Sequence, residues 1–248
     1  MSKKDLWGKA LLDYYSGNYT EDIKTWTSIS VEDTLPLPYL FRDFDEMPLI
    51  EQQALNLCRG KVLDVGCGAG NHSLWLQHNN LKVKGIDVSE GAIKVCKKRG
   101  LLEAEQLSLL EEKETFDTIL LLMNGTGIFQ ELNQVSKYLN HLKSLLNPKG
   151  QVLIDSSDIS YMYIDETEID PDSYRDEIES HFEINRDENG SYYGELDYFM
   201  SYKGEVSEPF KWLYLDFETL KIYCKNVGLK CVKILDGPHF DYLARLTL

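Results

Sequence analysis

Three glycines spaced two apart, Gly66, Gly68 and Gly70, follow the apolar run Val62-Leu63-Asp64-Val65 and precede His72-Ser73-Leu74-Trp75-Leu76. That spacing predicts a buried strand, a tight turn able to take φ > 0, and a helix whose first N–H groups and positive dipole end point into the turn. Its chemistry is the binding of a ligand against bare backbone. A second strand, Leu81-Lys82-Val83-Lys84-Gly85-Ile86-Asp87, ends in an acid. A carboxylate in that place can accept both hydroxyls of an adenosine ribose. A dinucleotide fingerprint, G-x-G-x-x-G, would need its third glycine at position 71, which is Asn71. A nicotinamide cofactor is therefore disfavoured.

The stretch Val-Leu-Asp-Val-Gly-Cys-Gly-Ala-Gly, with Asp87 closing the next strand, resembles motif I and its partner acid in the class I S-adenosylmethionine-dependent methyltransferases. The resemblance implies that Asp64, Gly66, Cys67, Gly68, Gly70, Asp87 and Val88 hold S-adenosylmethionine, with S-adenosylhomocysteine as product. In the family the loop after the third strand lies along the adenine. The matching places are Glu105, Gln106 and Leu107, where the small acid usual near this point is missing. Gln106 and Leu107 are the implied contacts. Phe116-Asp117 at the start of the fourth strand also matches. Asn124, just past that strand, falls where the family borders the methionine end of the cofactor and the methyl acceptor. The resemblance covers about residues 58–155 and 216–248.

In open parallel sheets ligands bind outside the carboxyl ends of the strands. That rule selects Gly66 to Gly70, Asp87, Met123-Asn124-Gly125-Thr126-Gly127, Asp155-Ser156-Ser157-Asp158 and the last hairpin turn, Asp236 to Asp241. Asn124 could hold the acceptor or the cofactor's amino group, and the two glycines after it would let a ligand approach the backbone. His239 in the hairpin turn is the candidate general base, being able to change charge near neutral pH. His72 reads as a helix-start residue. Asp155 and Asp158 could bind a cationic acceptor. Methyl transfer asks the protein mainly for alignment, worth on the order of 7–11 kcal/mol. A base is needed only for an acceptor that must lose a proton.

The elements that position these residues alternate strand and helix from 60 to 155, as in a parallel sheet. Strands are expected at 61–65, 82–87, about 101–104, 116–122 and 151–155, with helices at 70–79, 90–99 and 134–146. Ser89 is the expected N-cap and Gly100 the stop of the second helix. Ahead of them, residues 1–59 form an N-terminal cap segment. It holds helices at Trp7–Tyr15 and Leu49–Leu57, with the proline-bearing stretch 20–42 irregular. The aromatics Tyr14, Tyr15, Trp26, Tyr39 and Phe41 would suit a lid, which the resemblance also implies. Residues 156–215 read as an insertion with a helix near 172–182 and an antiparallel hairpin of Tyr192–Tyr202 and Val206–Leu215. A helix capped by Asp216, then strands 230–235 and 242–248, closes the core. The expected fold is α/β: a doubly wound, seven-stranded, mostly parallel sheet with an antiparallel last strand. The core is 60–155 plus 216–248.

At 248 residues the chain can bury a full core. Its net charge of −15 argues against nucleic acid as partner. Positions 156–210 hold 16 acidic against 3 basic residues, nearly all of that excess. The five cysteines, 58, 67, 96, 224 and 231, form no C-x-x-C pair, so neither a zinc site nor a disulfide framework is expected. No apolar run has signal-peptide or membrane-span length, and a cytoplasmic location is the expectation. The function expected is methyl transfer to a small-molecule acceptor. RNA or protein methylation, and binding of the adenosyl ligand without catalysis, are the alternatives. Acceptor identity and oligomeric state are not set by the sequence.

Overall fold

The structure, a computed structural model, describes residues 4–163 and 192–248. The chain opens with α1 (Leu6–Tyr15), β1 (Ile23–Thr27), β2 (Asp33–Leu35), a 3-10 turn over Leu37–Phe41, and α2 (Leu49–Leu57). Strand and helix then alternate: β3 (Lys61–Val65), α3 (Asn71–His78), β4 (Lys82–Asp87), α4 (Glu90–Lys98), β5 (Ala104–Gln106), β6 (Phe116–Leu121), α5 (Val135–Ser144) and β7 (Leu146–Ser157). After the described gap come β8 (Glu195–Tyr202), β9 (Glu205–Val206), β10 (Phe210–Leu213), α6 (Phe217–Asn226), β11 (Lys230–Asp236) and β12 (Asp241–Thr247). Among the described residues no helix is long and apolar enough to cross a membrane.

The main sheet has seven strands in the order β11-β12-β7-β6-β3-β4-β5. β3 to β7 pair in parallel, and β12 runs antiparallel to both of its neighbours, β7 and β11. Val62, Leu63, Ile119, Leu120, Val152 and Leu153 are buried on both faces, as a central parallel sheet requires. The chain leaves β3 toward β4 and β5, then returns to lay β6 on the other side. The strand order therefore reverses between β3 and β6, and the crevice outside their carboxyl ends is the switch point where such sheets bind ligands. Local signals set the helices. Ser89 accepts from Ala92 N at the start of α4, Gly100 ends it with φ +96°, and Asp216 accepts from Thr219 N to start α6.

A second, antiparallel sheet has the order β10-β8-β1-β2, with β9 on β8. Here the structure departs from the expectation that 20–42 is irregular. Ile23-Lys24-Thr25-Trp26-Thr27 pairs with β8, Lys24 opposite Ser201 and Thr27 opposite Tyr198. A five-residue strand whose partner lies far along the chain leaves too short a period-2 signal to read locally. The expected hairpin supplies β8 and β10, paired antiparallel. The helix expected near 172–182 lies outside the described residues. Two strand bounds also shift. The third parallel strand is 104–106, because Leu101 N is spent on Cys96 O in closing α4. β7 begins at Leu146, five residues early.

The N-terminal segment is tied to the core at α4. A Cβ on Gly8 would come within 2.6 Å of Gly91 Cα, so α1 and α4 cross backbone to backbone. Asp5 secures the crossing by accepting from Gly8 N, Ser89 Oγ and Gly91 N. On β8, Met200 and Tyr202 pack with Leu6, Ala10 and Leu11 of α1 and with Ala69 of the glycine turn.

Candidate functional site

The three glycines of the turn all take positive φ, +72° at Gly66, +52° at Gly68 and +87° at Gly70. L-residues adopt that region at a cost, which explains the glycine spacing. Gly66 N and Cys67 N donate to Ile86 O, which docks the turn on the end of β4. Arg99 braces it from below, donating to Ala69 O at 2.8 Å and to Asn71 Oδ1. The space above Gly68 is open: a Cβ built there meets nothing nearer than Gly66 O at 4.0 Å. Cys67 is buried with its Sγ 3.8 Å from that of Cys96, so its backbone is what it offers a ligand.

Asp87 lies beside that opening. Its Oδ2 accepts from Gly68 N at 2.9 Å and its Oδ1 from Ser89 N at 2.8 Å. A carboxylate has about four acceptor sites, so lone pairs remain for a ribose diol. Burial pushes the Asp87 carboxyl above its usual pKa, against those two N–H bonds. Val88 next to it is 72 % exposed, and Gln106 Nε2 donates to Val88 O while Leu107 N donates to Asp87 O. Asp87, Val88, Gln106 and Leu107 thus converge on one patch at the ends of β4 and β5. Asp64 sits deeper. It is 2 % exposed and accepts from Ser73 Oγ at 2.6 Å, fastening α3 to β3. Burial raises its pKa too.

The loop after β6 is built differently. Met123 and Asn124 both take positive φ, +66° and +59°, without being glycine. The Asp155 carboxylate at the end of β7 holds them there, accepting from Met123 N at 3.0 Å and Gly125 N at 2.8 Å. Burial raises its pKa to about 6 despite these bonds. Asn124 Oδ1 accepts from Ser157 Oγ at 2.8 Å. The two glycines do not open this backbone to a ligand, as their sequence pattern suggested. A Cβ on Gly125 would meet Leu121 Cβ at 2.6 Å and one on Gly127 the Trp212 ring at 2.0 Å, so the protein's own side chains fill the room. His239 stands at the same sheet edge, since Asp241 pairs with Ser157, but its residue is exposed and its backbone N is tied to Asp241 Oδ1. Asp158 accepts from Tyr193 Oη and Ser160 N.

A buried charged chain escaped the sequence reading. Arg42 donates through Nη2 to Glu51, and His72 Nε2 lies 2.7 Å from Glu51 Oε2. Arg42 and Glu51 side chains are each 5 % exposed and that of His72 11 %. Burial pushes the Glu51 carboxyl up, but His72 and Arg42 outweigh it and hold it below the usual range. Burial pulls His72 down, yet its bond to Glu51 and the charges of Asp64 and Glu51 leave it raised. His72, expected merely to start α3, thereby joins α2 of the N-terminal segment to the start of α3 after the glycine turn. The available signal was Glu51 itself: an acid on the same helix face as Ala54 and Leu55 must find a partner.

Comparison with known proteins agrees with this geometry. Residues 59–204 match the family model described as a methyltransferase domain. A crystal structure of an S-adenosylmethionine-dependent methyltransferase from Bacteroides fragilis, in complex with S-adenosylhomocysteine, is 39 % identical with a TM-score of 0.85. It covers 100 % of this chain and 96 % of its own. The chain belongs to the methyltransferase-domain family and, within it, to the class I S-adenosylmethionine-dependent methyltransferases. The ubiquinone biosynthesis O-methyltransferase of Pasteurella multocida is 29 % identical over 130 residues, 43 % of this chain and 50 % of that protein. A putative methyltransferase of Geobacillus sp. (strain WCH70) is 26 % identical over 104 residues, 38 % of this chain and 41 % of that protein. The chain thus spans about half the length, or less, of these curated relatives.

Proposed function

We propose that this methyltransferase moves the methyl group of S-adenosylmethionine to a small-molecule acceptor by in-line displacement. The observation that carries the cofactor half is the open space over Gly68 with the Asp87 carboxylate at its side. Backbone of Gly66, Cys67, Gly68 and Gly70 would cradle the methionine portion, Asp87 would accept from the ribose hydroxyls, and Val88, Gln106 and Leu107 would line the adenine. Asp64 would act one step back, by fixing α3 through Ser73. The bound cofactor supplies a methyl group on a positively charged sulfur with a neutral leaving group. The chain's own task is then to align the acceptor and keep water out. Asn124, held by Ser157, is the candidate to orient the acceptor or the cofactor's amino group. His239 is the candidate to take a proton where the acceptor carries one.

The small-molecule reading is supported by the acidic chain and by an N-terminal segment whose Leu37 and Leu40 share one buried cluster with Ala69 of the turn. It is tested by incubating the protein with methyl-labelled S-adenosylmethionine and cell extract separated into small-molecule, protein and RNA fractions. Label is expected in the small-molecule fraction. Label entering protein or RNA instead would overturn the acceptor class and leave the cofactor assignment standing.

A further inference from the structure

Near the amino ends of the parallel strands, on the opposite edge of the sheet from the glycine turn, Arg59, Gln151, Lys230, Val232, Arg245 and Thr247 line a cavity of about 170 Å3. Strand register brings them together. Lys230 stands opposite Thr247 and Val232 opposite Arg245 where β11 meets β12, and Thr247 stands opposite Gln151 where β12 meets β7. Residues two apart on a strand share a face, so Arg245 and Thr247 both look into the cavity, beside Lys230. Along β12 the pairing with β7 runs from Thr247 at the cavity to Asp241 opposite Ser157 at the crevice. That length of strand puts the cavity roughly 20 Å from the crevice.

Arg59 is set at the cavity by buried polar groups. Gln151 Nε2 donates to Leu57 O at 2.7 Å. Thr118 Oγ1 accepts from Arg59 N at 3.2 Å and donates to Arg59 O at 3.0 Å. Both side chains are buried, which ties the chain entering β3 to β6 and β7. Arg59 Nη2 donates to Lys149 O at 2.7 Å, and the rest of its fork is left for another acceptor. Three cations thus border one small space in a chain of net charge −15. Among the described residues none of the three forms an ion pair, and the half-buried Arg245 side chain has no hydrogen-bond acceptor. Asp117, whose carboxylate feels the Arg59 charge, spends its oxygens on Lys61 N at 2.8 Å and Asn147 Nδ2 at 3.0 Å. Like charges on one sheet face repel, and a half-buried guanidinium without an acceptor costs free energy. A bound anion relieves both.

We propose that this cavity is a phosphate-binding site, in which Arg245, Arg59 and Lys230 meet the phosphate oxygens and the Thr247 hydroxyl donates alongside them. Two guanidinium forks suit a tetrahedral oxyanion with several acceptor oxygens. The volume lies below the roughly 300–1,000 Å3 of pockets that enclose a drug-sized ligand, so the site takes the charged group and not the body of a nucleotide. The test is independent of the cofactor reading. Wild type, Arg245→Gln and Lys230→Gln are titrated calorimetrically with inorganic phosphate and with glycerol phosphate, and melted with and without phosphate. Sodium chloride holds the ionic strength constant throughout. Wild type should bind phosphate with a Kd of about 1 mM or lower and melt higher in its presence. Arg245→Gln should bind at least about tenfold more weakly. It should also melt no lower than wild type in phosphate-free buffer, because the repulsion with Lys230 is relieved. Lys230→Gln should lose affinity severalfold, the smaller effect of an exposed and screened cation. Tighter binding of glycerol phosphate would assign the phosphate of a larger molecule, and preference for the free ion would assign inorganic phosphate. No saturable binding by wild type, or equal affinity in wild type and Arg245→Gln, would overturn the proposal. So would a lower melting temperature for Arg245→Gln in phosphate-free buffer, since Arg245 would then serve the fold.

Discussion

Two loops meet at the switch point, and both force the backbone into positive φ by opposite means. The turn after β3 does it with glycine, at Gly66, Gly68 and Gly70, and leaves open space above Gly68. The loop after β6 does it with Met123 and Asn124, holding them through the Asp155 carboxylate, and its glycines are filled by Leu121 and Trp212. Glycine strain makes room for a ligand, whereas side-chain-held strain fixes a wall. The first loop suits a cofactor that lies against bare backbone. The second suits the rigid far side of a reaction site.

Substitutions can break that contrast. Gly68→Val puts a branched side chain into the open space, and cofactor affinity should fall by about a hundredfold or more, close to 2.7 kcal/mol. The circular dichroism spectrum should stay native, since nothing of the protein lies within 3.4 Å of the new Cβ, but the melting temperature should fall, because a β-branched residue at φ +52° strains the turn. Normal affinity would remove the turn from the cofactor site.

Asp155→Asn attacks the other loop. One oxygen replaces two, so one of the bonds from Met123 N and Gly125 N is lost. The pH dependence gives the sharper readout. With its folded pKa raised to about 6, Asp155 holds its proton more tightly in the folded chain than in the unfolded one. Its stabilising contribution is full below the unfolded value near 4 and is lost as pH rises through 6. The stability of wild type relative to Asp155→Asn should therefore fall by about 2 kcal/mol between pH 4 and 6.5, measured by urea unfolding. A difference independent of pH would mean that Asp155 is not desolvated as described. Gly127→Ala should lower stability by about 1–3 kcal/mol by driving a methyl into Trp212, with cofactor affinity unchanged. That is the reverse of the Gly68→Val pattern, and a loss of affinity here would undo the distinction between the loops. The smallest effect is expected at His239. Its exposure lets water compete for the proton, so His239→Ala should lower turnover by about tenfold, less than a buried base would cost, without altering cofactor affinity. Equal turnover would retire it as base.

The legible half of the molecule is the half made of local patterns. β3, the glycine turn, α3 and β4 announce themselves within thirty residues, through an apolar run, glycines at fixed offsets and an acid at a strand end. α6 is legible for the same reason, from Asp216 to its close near Gly228. The second sheet is legible only in its β8–β10 hairpin; β1 is not, because it is five residues long and its register is set by β8, far along the chain. The buried charged chain beside the turn is missed for a related reason. Arg42, Glu51 and His72 come from three separate elements, and nothing in the spacing of any one of them shows that they touch. The pattern at Asn124 misled in a different way: glycines that look like access for a ligand are there for Leu121 and Trp212.

The most direct measurement is calorimetric titration of the protein with S-adenosylhomocysteine, S-adenosylmethionine and NAD, with Asp87→Ala alongside. Micromolar binding of both adenosyl ligands, no binding of NAD, and a loss of about 1–3 kcal/mol in the variant are expected from the two charged hydrogen bonds removed. Unchanged affinity in Asp87→Ala, or binding of NAD in preference to the adenosyl ligands, would contradict the account.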